Sequence, residues 1–237
     1  MNPWTIGLST GCFYQRRFLD VIDEIRDGGF DAIEVCSFPM HLDYHDRDAV
    51  QAAGARLHAL GMRPASFHAP FADRIDITAL DSTQRAAAVQ ELITASEAAA
   101  LMGVETLVLH PGPERAGRPQ ESEFLERMRH AADSLNQVAD RCCALGVHLA
   151  LENMLPHLLF VHINDMMYLL GSIHTCEVGA CLDTGHAFLA RELPTVIHKL
   201  SGHLHIVHVN DNRGDRDDQE DLRPAGHLAV HSVSRVT

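Results

Sequence analysis

The sequence predicts an α/β fold, a (β/α)8 barrel whose eighth unit is truncated or altered. Three observations carry this expectation. Seven short apolar segments recur at roughly even spacing, most followed by a segment of helical periodicity. No Gly-rich phosphate loop follows the first of them, which favours a barrel over a doubly wound sheet. Five of the segments end in His, Asp or Glu, and strand ends are where a barrel gathers its chemistry.

Taken in order, TIGLST (5–10) is apolar and bounded by Gly11, so it reads as strand 1. FLDVIDEIRDGG (18–29) has helical spacing and a Gly stop. DAIEVCSF (31–38) is strand 2. Asp46 or Asp48 caps a helix from Ala49 to Leu60, closed by Gly61. RPASFHAPF (63–71) is strand 3, stopped by Pro70. Asp81 or Ser82 caps a long Ala-rich helix running to Met102. ETLVLHPGP (105–113) is strand 4, and Glu121 to Leu145 is a helix ended by Gly146. VHLALENM (147–154) is strand 5, and Asp165 to Ile173 is a shorter helix. VGACLDTGHAF (178–188) is strand 6 ending in a turn. Glu192 to Leu200 is a helix, and HIVHVNDN (205–212) is strand 7. No linker or internal repeat interrupts this order, so residues 1–237 read as one domain, with 213–237 an atypical C-terminal tail.

The polar strand ends are His68, His110, Glu152 with Asn153, Asp183 with His186, and His208 with Asp211. Each has a bland reading. A lone His after an apolar run is more often a hydrogen-bonded structural residue than a ligand. Glu152 is harder to dismiss, because a carboxylate inside a buried strand needs a partner. Asp183 offers a hard oxygen and His186 an imidazole nitrogen three residues on, a pair suited to a divalent metal. Burying all of these groups together would be costly without a cation to offset the repulsion. Glu34 is left open between pointing into the barrel and supporting it. His58, His130, His174 and His198 read as solvated, and the acidic run from Asp215 to Asp221 as a solvated loop.

The bulk numbers bound the function. The 237 residues carry a net charge of −13, with no basic footprint for nucleic acid at whole-chain level. No apolar run reaches transmembrane length, and no signal-peptide pattern opens the chain. The cysteines form no CxxC pair, and several lie in apolar segments, which reads as a reduced, cytoplasmic protein.

FHAPF (67–71), LVLHPGP (107–113), LALENM (149–154), CLDTGHAF (181–188) and VHVNDN (207–212), in this order, resemble the xylose isomerase-like TIM-barrel superfamily. The likeness is to its sugar phosphate isomerase/epimerase group, and it extends over residues 5 to about 217. It implies one divalent metal ion (Mn, Mg, Zn or Co) held by Glu152, Asp183 and His208. It makes Glu152 and His186 the catalytic residues, and His68, His110, His186 and Asp211 the substrate-binding ones. The implied reaction is isomerisation or epimerisation of a small sugar, sugar phosphate or hydroxy-keto acid, by proton transfer through an enediolate. Endonuclease IV, a zinc enzyme acting at abasic DNA sites, looks similar in its barrel and in several of these motifs. The alternatives are therefore an endonuclease IV-like zinc phosphodiesterase or a catalytically impaired sugar-binding barrel. The first reading implies a carbohydrate substrate and neither nucleic acid nor membrane as partner. An incomplete barrel would favour homo-oligomers.

The tail departs from this pattern. The family continues with a His, a Gly-rich turn and a strand 8 ending in Glu. Here the chain reads NRGDRDDQEDLRPAGHLAVHSVSRVT (212–237). LAVHSVSRV (228–236) has the composition of a strand but carries no acid. The ending reads as truncated or frame-shifted, a hypothesis that an uninterrupted native stop codon and the same tail in the expressed protein would remove.

Overall fold

The structure, a computed structural model, describes residues 4–115, 117, 119–174, 178–210, 212, 214 and, as backbone, 232–235. Seven strands run parallel around a barrel: β1 (Trp4–Ser9), β2 (Ala32–Cys36), β3 (Arg63–His68), β4 (Thr106–Leu109), β5 (His148–Glu152), β6 (Val178–Asp183) and β7 (Leu204–His208). Helices α1 (Phe18–Asp27), α2 (Arg47–Leu60), α3 (Ser82–Leu101), α4 (Glu121–Leu145), α5 (Ile163–Gly171), α6 (Thr184–Leu189) and α7 (Leu193–Leu200) connect them.

The eighth unit is altered, as expected from the tail. β8 (Ser232–Arg235) closes the barrel between β7 and β1 but pairs antiparallel with both. Among the described residues no helix follows β7. The acidic run from Asp215 to Asp221 lies outside the described residues, as does most of the 213–237 tail.

The local chemistry explains the element ends. The Asp46 carboxylate accepts from the Asp48 and Ala49 amides at 3.0 and 3.1 Å and starts α2. Asp81 does the same for α3 through Gln84 N at 2.8 Å. Gly146 ends α4 with φ 71°, a left-handed conformation that glycine takes without a Cβ clash. One correction concerns the sixth strand. It stops at Asp183, and the Thr184–Leu189 stretch, read as a turn, is a short helix capped by Asp183.

Two packed regions hold the fold. Outside the strands, a core of buried residues, among them Phe18, Phe67, Leu107, Leu135 and Leu149, fills the space under the helices. Inside the barrel, Val108, Ala150, Cys181 and Ile206 form a small dry layer. They alternate with the outward residues of their strands, as the two-residue pleat requires. The β3–α3 loop is pinned by buried Asp76, which accepts from Thr78 N, Thr78 Oγ1 and Arg127 Nη1 at 2.9, 2.6 and 3.2 Å.

The cysteines depart in one respect from the reduced set expected. Cys12, Cys36, Cys142 and Cys181 are free, whereas Cys143 is disulfide-bonded. Among the described residues no helix is long and apolar enough to cross a membrane.

Candidate metal centre

The last residues of β3, β5, β6 and β7 are His68, Glu152, Asp183 and His208, and His110 follows β4 directly. Parallel strands deliver all five to one end of the barrel. They line a cavity of about 460 Å³ together with Glu34, His186 and Asn210. Ser9, Cys12, Tyr14, Phe38, Phe71 and Leu155 complete a more apolar wall.

Glu152 is the hub. It is 1% exposed. Its Oε2 lies 3.1 Å from His68 Nε2 and 3.5 Å from His110 Nε2. Its Oε1 lies 3.1 Å from His208 Nδ1 and 3.7 Å from His186 Nδ1. Burial pushes this carboxyl up, but the surrounding imidazoles, His208 foremost, hold it well below the usual carboxylate range. Glu152 is therefore an anion at neutral pH, in a place where an unpaired anion would not survive.

Asp183 is the second acid. Its Oδ1 accepts from His186 N at 2.7 Å as the α6 cap, and its Oδ2 accepts from Asn210 Nδ2 at 2.8 Å. Burial raises its pKa, and Glu152 nearby adds to the rise while His186 opposes it. Asn153 ties β5 to β6 through both backbone groups of Asp183, at 2.8 and 3.0 Å. The Asn153 carbonyl accepts from His186 Nδ1 at 2.9 Å. A carbonyl only accepts, so Nδ1 carries the proton, and Nε2 faces Asp183 Oδ2 at 3.9 Å.

The other imidazoles differ. Burial works against protonation of His68, but its contact with Glu152 raises it overall. His110 is pushed down to about 3, chiefly by burial, and stays neutral. Its Nδ1 is buried without a hydrogen-bond partner among the described residues, and its ring packs on Phe71 with centroids 4.1 Å apart. Burial also opposes protonation of His208, and Cys181, Glu34 and Glu152 outweigh it. Burial holds the Cys181 thiol above its ordinary value and so uncharged, which leaves the two carboxylates as the source of that effect.

Among the described residues, three overlapping donor sets have ligand atoms within 4.8 Å of one another: His68, His110 and Glu152; Glu152, Cys181 and His208; Glu152, Asp183 and His186. Carboxylate oxygens and imidazole nitrogens converging at this range fit a divalent cation. Among the described residues the His110 nitrogen has no hydrogen-bond partner, which fits a donor set that holds a cation.

The residues singled out from the sequence thus come together, with one exception. Asp211 lies outside the described residues. Two site residues were missed or left undecided. Asn210 stands inside a quoted motif without a signal that marks it. Glu34 points inward, 2% exposed, and a carboxylate flanked by apolar residues within AIEVC was its signal. Of the histidines read as solvated, His58, His174 and His198 are exposed, while His130 is half-buried beside Arg85.

The comparisons with known proteins agree with this architecture. The family described as xylose isomerase-like TIM barrel matches residues 22–231. A protein named probable endonuclease 4 from Nitratidesulfovibrio vulgaris (strain Hildenborough) is 35% identical over 142 residues, covering 59% of this chain and 48% of that protein. One of the same name from Acholeplasma laidlawii is 26% identical over 189 residues, covering 71% and 60%. The chain thus spans about half the length of the first of these curated relatives. Among solved structures, a D-tagatose 3-epimerase-like protein superposes with a TM-score of 0.78 at 22% identity, covering 90% of this chain and 78% of the other. The TTHB071 protein of Thermus thermophilus, soaked with ZnCl2, gives 0.69 at 26% identity, covering 90% and 79%.

Proposed function

Because the chain belongs to the xylose isomerase-like TIM-barrel family, with its profile matched over residues 22–231, we propose that it is a metal-dependent isomerase or epimerase of a small carbohydrate. The observation that carries this reading is the buried Glu152, ringed by four imidazoles at the floor of a single small cavity. Glu152, Asp183 and His208 would hold the cation, with His186 beside them. When bound, the metal supplies electrostatic stabilisation of negative charge developing on substrate oxygens.

The protein's own groups do the rest. Glu152 is an anion that lines the cavity, so it can accept a proton from a carbon next to a carbonyl. His186 is oriented by the Asn153 carbonyl, so its Nε2 is turned to the side of Asp183 and can meet a substrate oxygen. Phe71 and Leu155 add apolar surface to the cavity lining. About 460 Å³ suits a monosaccharide.

An endonuclease IV-like phosphodiesterase is the second reading, favoured by the names of the curated relatives and by the donor set around His68 and His110. The tail bears on a third, a barrel that binds a sugar without turnover, because a second acid from strand 8 is not visible in the sequence.

Elemental analysis of the purified chain tests the metal reading. About one divalent ion per chain, lost in Asp183→Ala, is expected for the isomerase. About three zinc ions, with cleavage of abasic DNA, would replace it by the phosphodiesterase. Solvent-deuterium incorporation into ketoses tests the proton transfer. A metal-loaded protein that exchanges no carbon-bound proton of any ketose would leave only the sugar-binding barrel.

A further inference from the structure

Glu34 has no part in the chemistry proposed above, yet it is buried at the floor of the same cavity. On β2, Ile33 and Val35 pack outward into the main core, and Glu34 between them turns inward. Its Oε2 accepts two hydrogen bonds, from His208 Nε2 at 2.9 Å and from Ser66 Oγ at 2.8 Å. The donors come from β7 and β3, so one carboxylate oxygen is held from two directions.

This contact decides which nitrogen His208 offers to the cavity. Ser66 Oγ donates to Glu34 Oε2, so the oxygen that faces His208 Nε2 is an acceptor. At 2.9 Å from that accepting oxygen, His208 Nε2 is the N–H. An imidazole holds a cation only through a nitrogen free of its proton, so with Nε2 as the N–H the nitrogen left for a cation is Nδ1. That nitrogen lies 3.1 Å from Glu152 Oε1 and 3.9 Å from Asp183 Oδ2. Ser66 keeps the carboxylate from rotating away.

We infer that Glu34 is a positioning residue, which locks His208 in the tautomer and ring orientation that aim Nδ1 between Glu152 and Asp183. The inference rests on the metal reading of this site. Its physical basis is general: a ligand imidazole whose other nitrogen donates to a carboxylate is fixed in rotation and made more basic. Glu34 itself belongs to none of the convergent donor sets. Its effect on a cation is exerted through His208 alone.

The test compares the parent with Glu34→Ala and Glu34→Gln. Zn²⁺ affinity is measured by competition with a chelator of known strength. The His208 ring nitrogens are followed by 15N NMR in the zinc-loaded proteins. Loss of the positioning contact is expected to weaken zinc binding by about 10–100-fold, Glu34→Ala more than Glu34→Gln. In the parent, Nε2 should appear as a protected N–H and Nδ1 as the metal-bound nitrogen. In Glu34→Ala the Nε2 proton should exchange rapidly with water. If Glu34→Ala does not fold, the near-isosteric Glu34→Gln decides by the same readouts. Folded variants that bind zinc as tightly as the parent, with the Nε2 proton still protected, would overturn the inference and leave the metal reading intact. A parent that binds no metal would overturn both.

Discussion

Gly185 offers a measure of how tightly the metal-proximal layer is built. It is buried in the first turn of α6, directly under Asn210. A Cβ at this position would overlap Asn210 Oδ1 and come within 2.8 Å of its Cγ and 3.1 Å of Asn212 Nδ2. Gly185→Ala therefore forces Asn210 to swing away. Asn210 Oδ1 has no hydrogen-bond partner among the described residues, so the swing sacrifices chiefly the Nδ2 contact to Asp183 Oδ2. A hydrogen bond to a charged group is worth about 1.5–3 kcal/mol. Asn210→Ala loses the same bond without the overlap. Each single variant should thus destabilise the metal-free protein by about 1.5–3 kcal/mol, and the double variant by about the same amount rather than twice as much. Urea unfolding of all three variants measures this, with Gly202→Ala, where a Cβ meets no atom of the described residues within 4 Å, as a control expected to change little. Additive losses in the double variant would refute the reasoning, since they would mean that Gly185 and Asn210 act independently.

Other consequences can be measured in the same way. Asp183→Ala should abolish stoichiometric metal binding, read by elemental analysis. Arg127→Met should cost about 3–5 kcal/mol, because it strands the buried Asp76 carboxylate; Asp76→Asn in the same chain should recover part of the loss in thermal unfolding. Arg115 stands 3.7 Å from Asp76 and sets the cost toward the lower end. Glu91 tests pH dependence. Burial raises its carboxyl, but hydrogen bonds from Tyr44 and His45 and the nearby Arg74 lower it below 4.5 overall. A depressed folded pKa means its stabilisation is present above the unfolded value and is lost as pH falls. The stability gap between parent and Glu91→Gln should be full at neutral pH and close as pH drops below about 4.5. A gap that widens on acidification would show the sign to be wrong.

The barrel was legible because each strand is a short apolar run closed by Gly, Pro or a cap, and each unit repeats the pattern. The α4 boundaries, Glu121 and Leu145, fall where the acidic first turn and Gly146 predict them. The α6 helix was not legible. Six residues, TGHAFL, are too few to show a 3.6-residue period, and its cap is Asp183, a residue already read for its chemistry. The site was legible at strand ends, where His68, Glu152, Asp183 and His208 stand out against apolar neighbours. Glu34 was less so. It sits in the middle of AIEVC, two residues short of the strand end, and only closure of the barrel brings it to His208, 174 residues away in sequence. Asn210 had no signal of its own. An Asn in a loop is unremarked until the glycine that makes room for it is seen.

The direction of β8 matters at the cavity end. Ser232 pairs with Gly7, near the cavity end of β1, whereas Arg235 pairs with Trp4 at the strand's beginning. In an all-parallel barrel the eighth strand would travel the other way and deliver its last residue to the rim. Here β8 ends at the opposite pole. The rim position that the last residue of a parallel eighth strand would take is therefore met by Ser232, the first residue of β8, and the backbone of β8 carries its later residues away from the cavity.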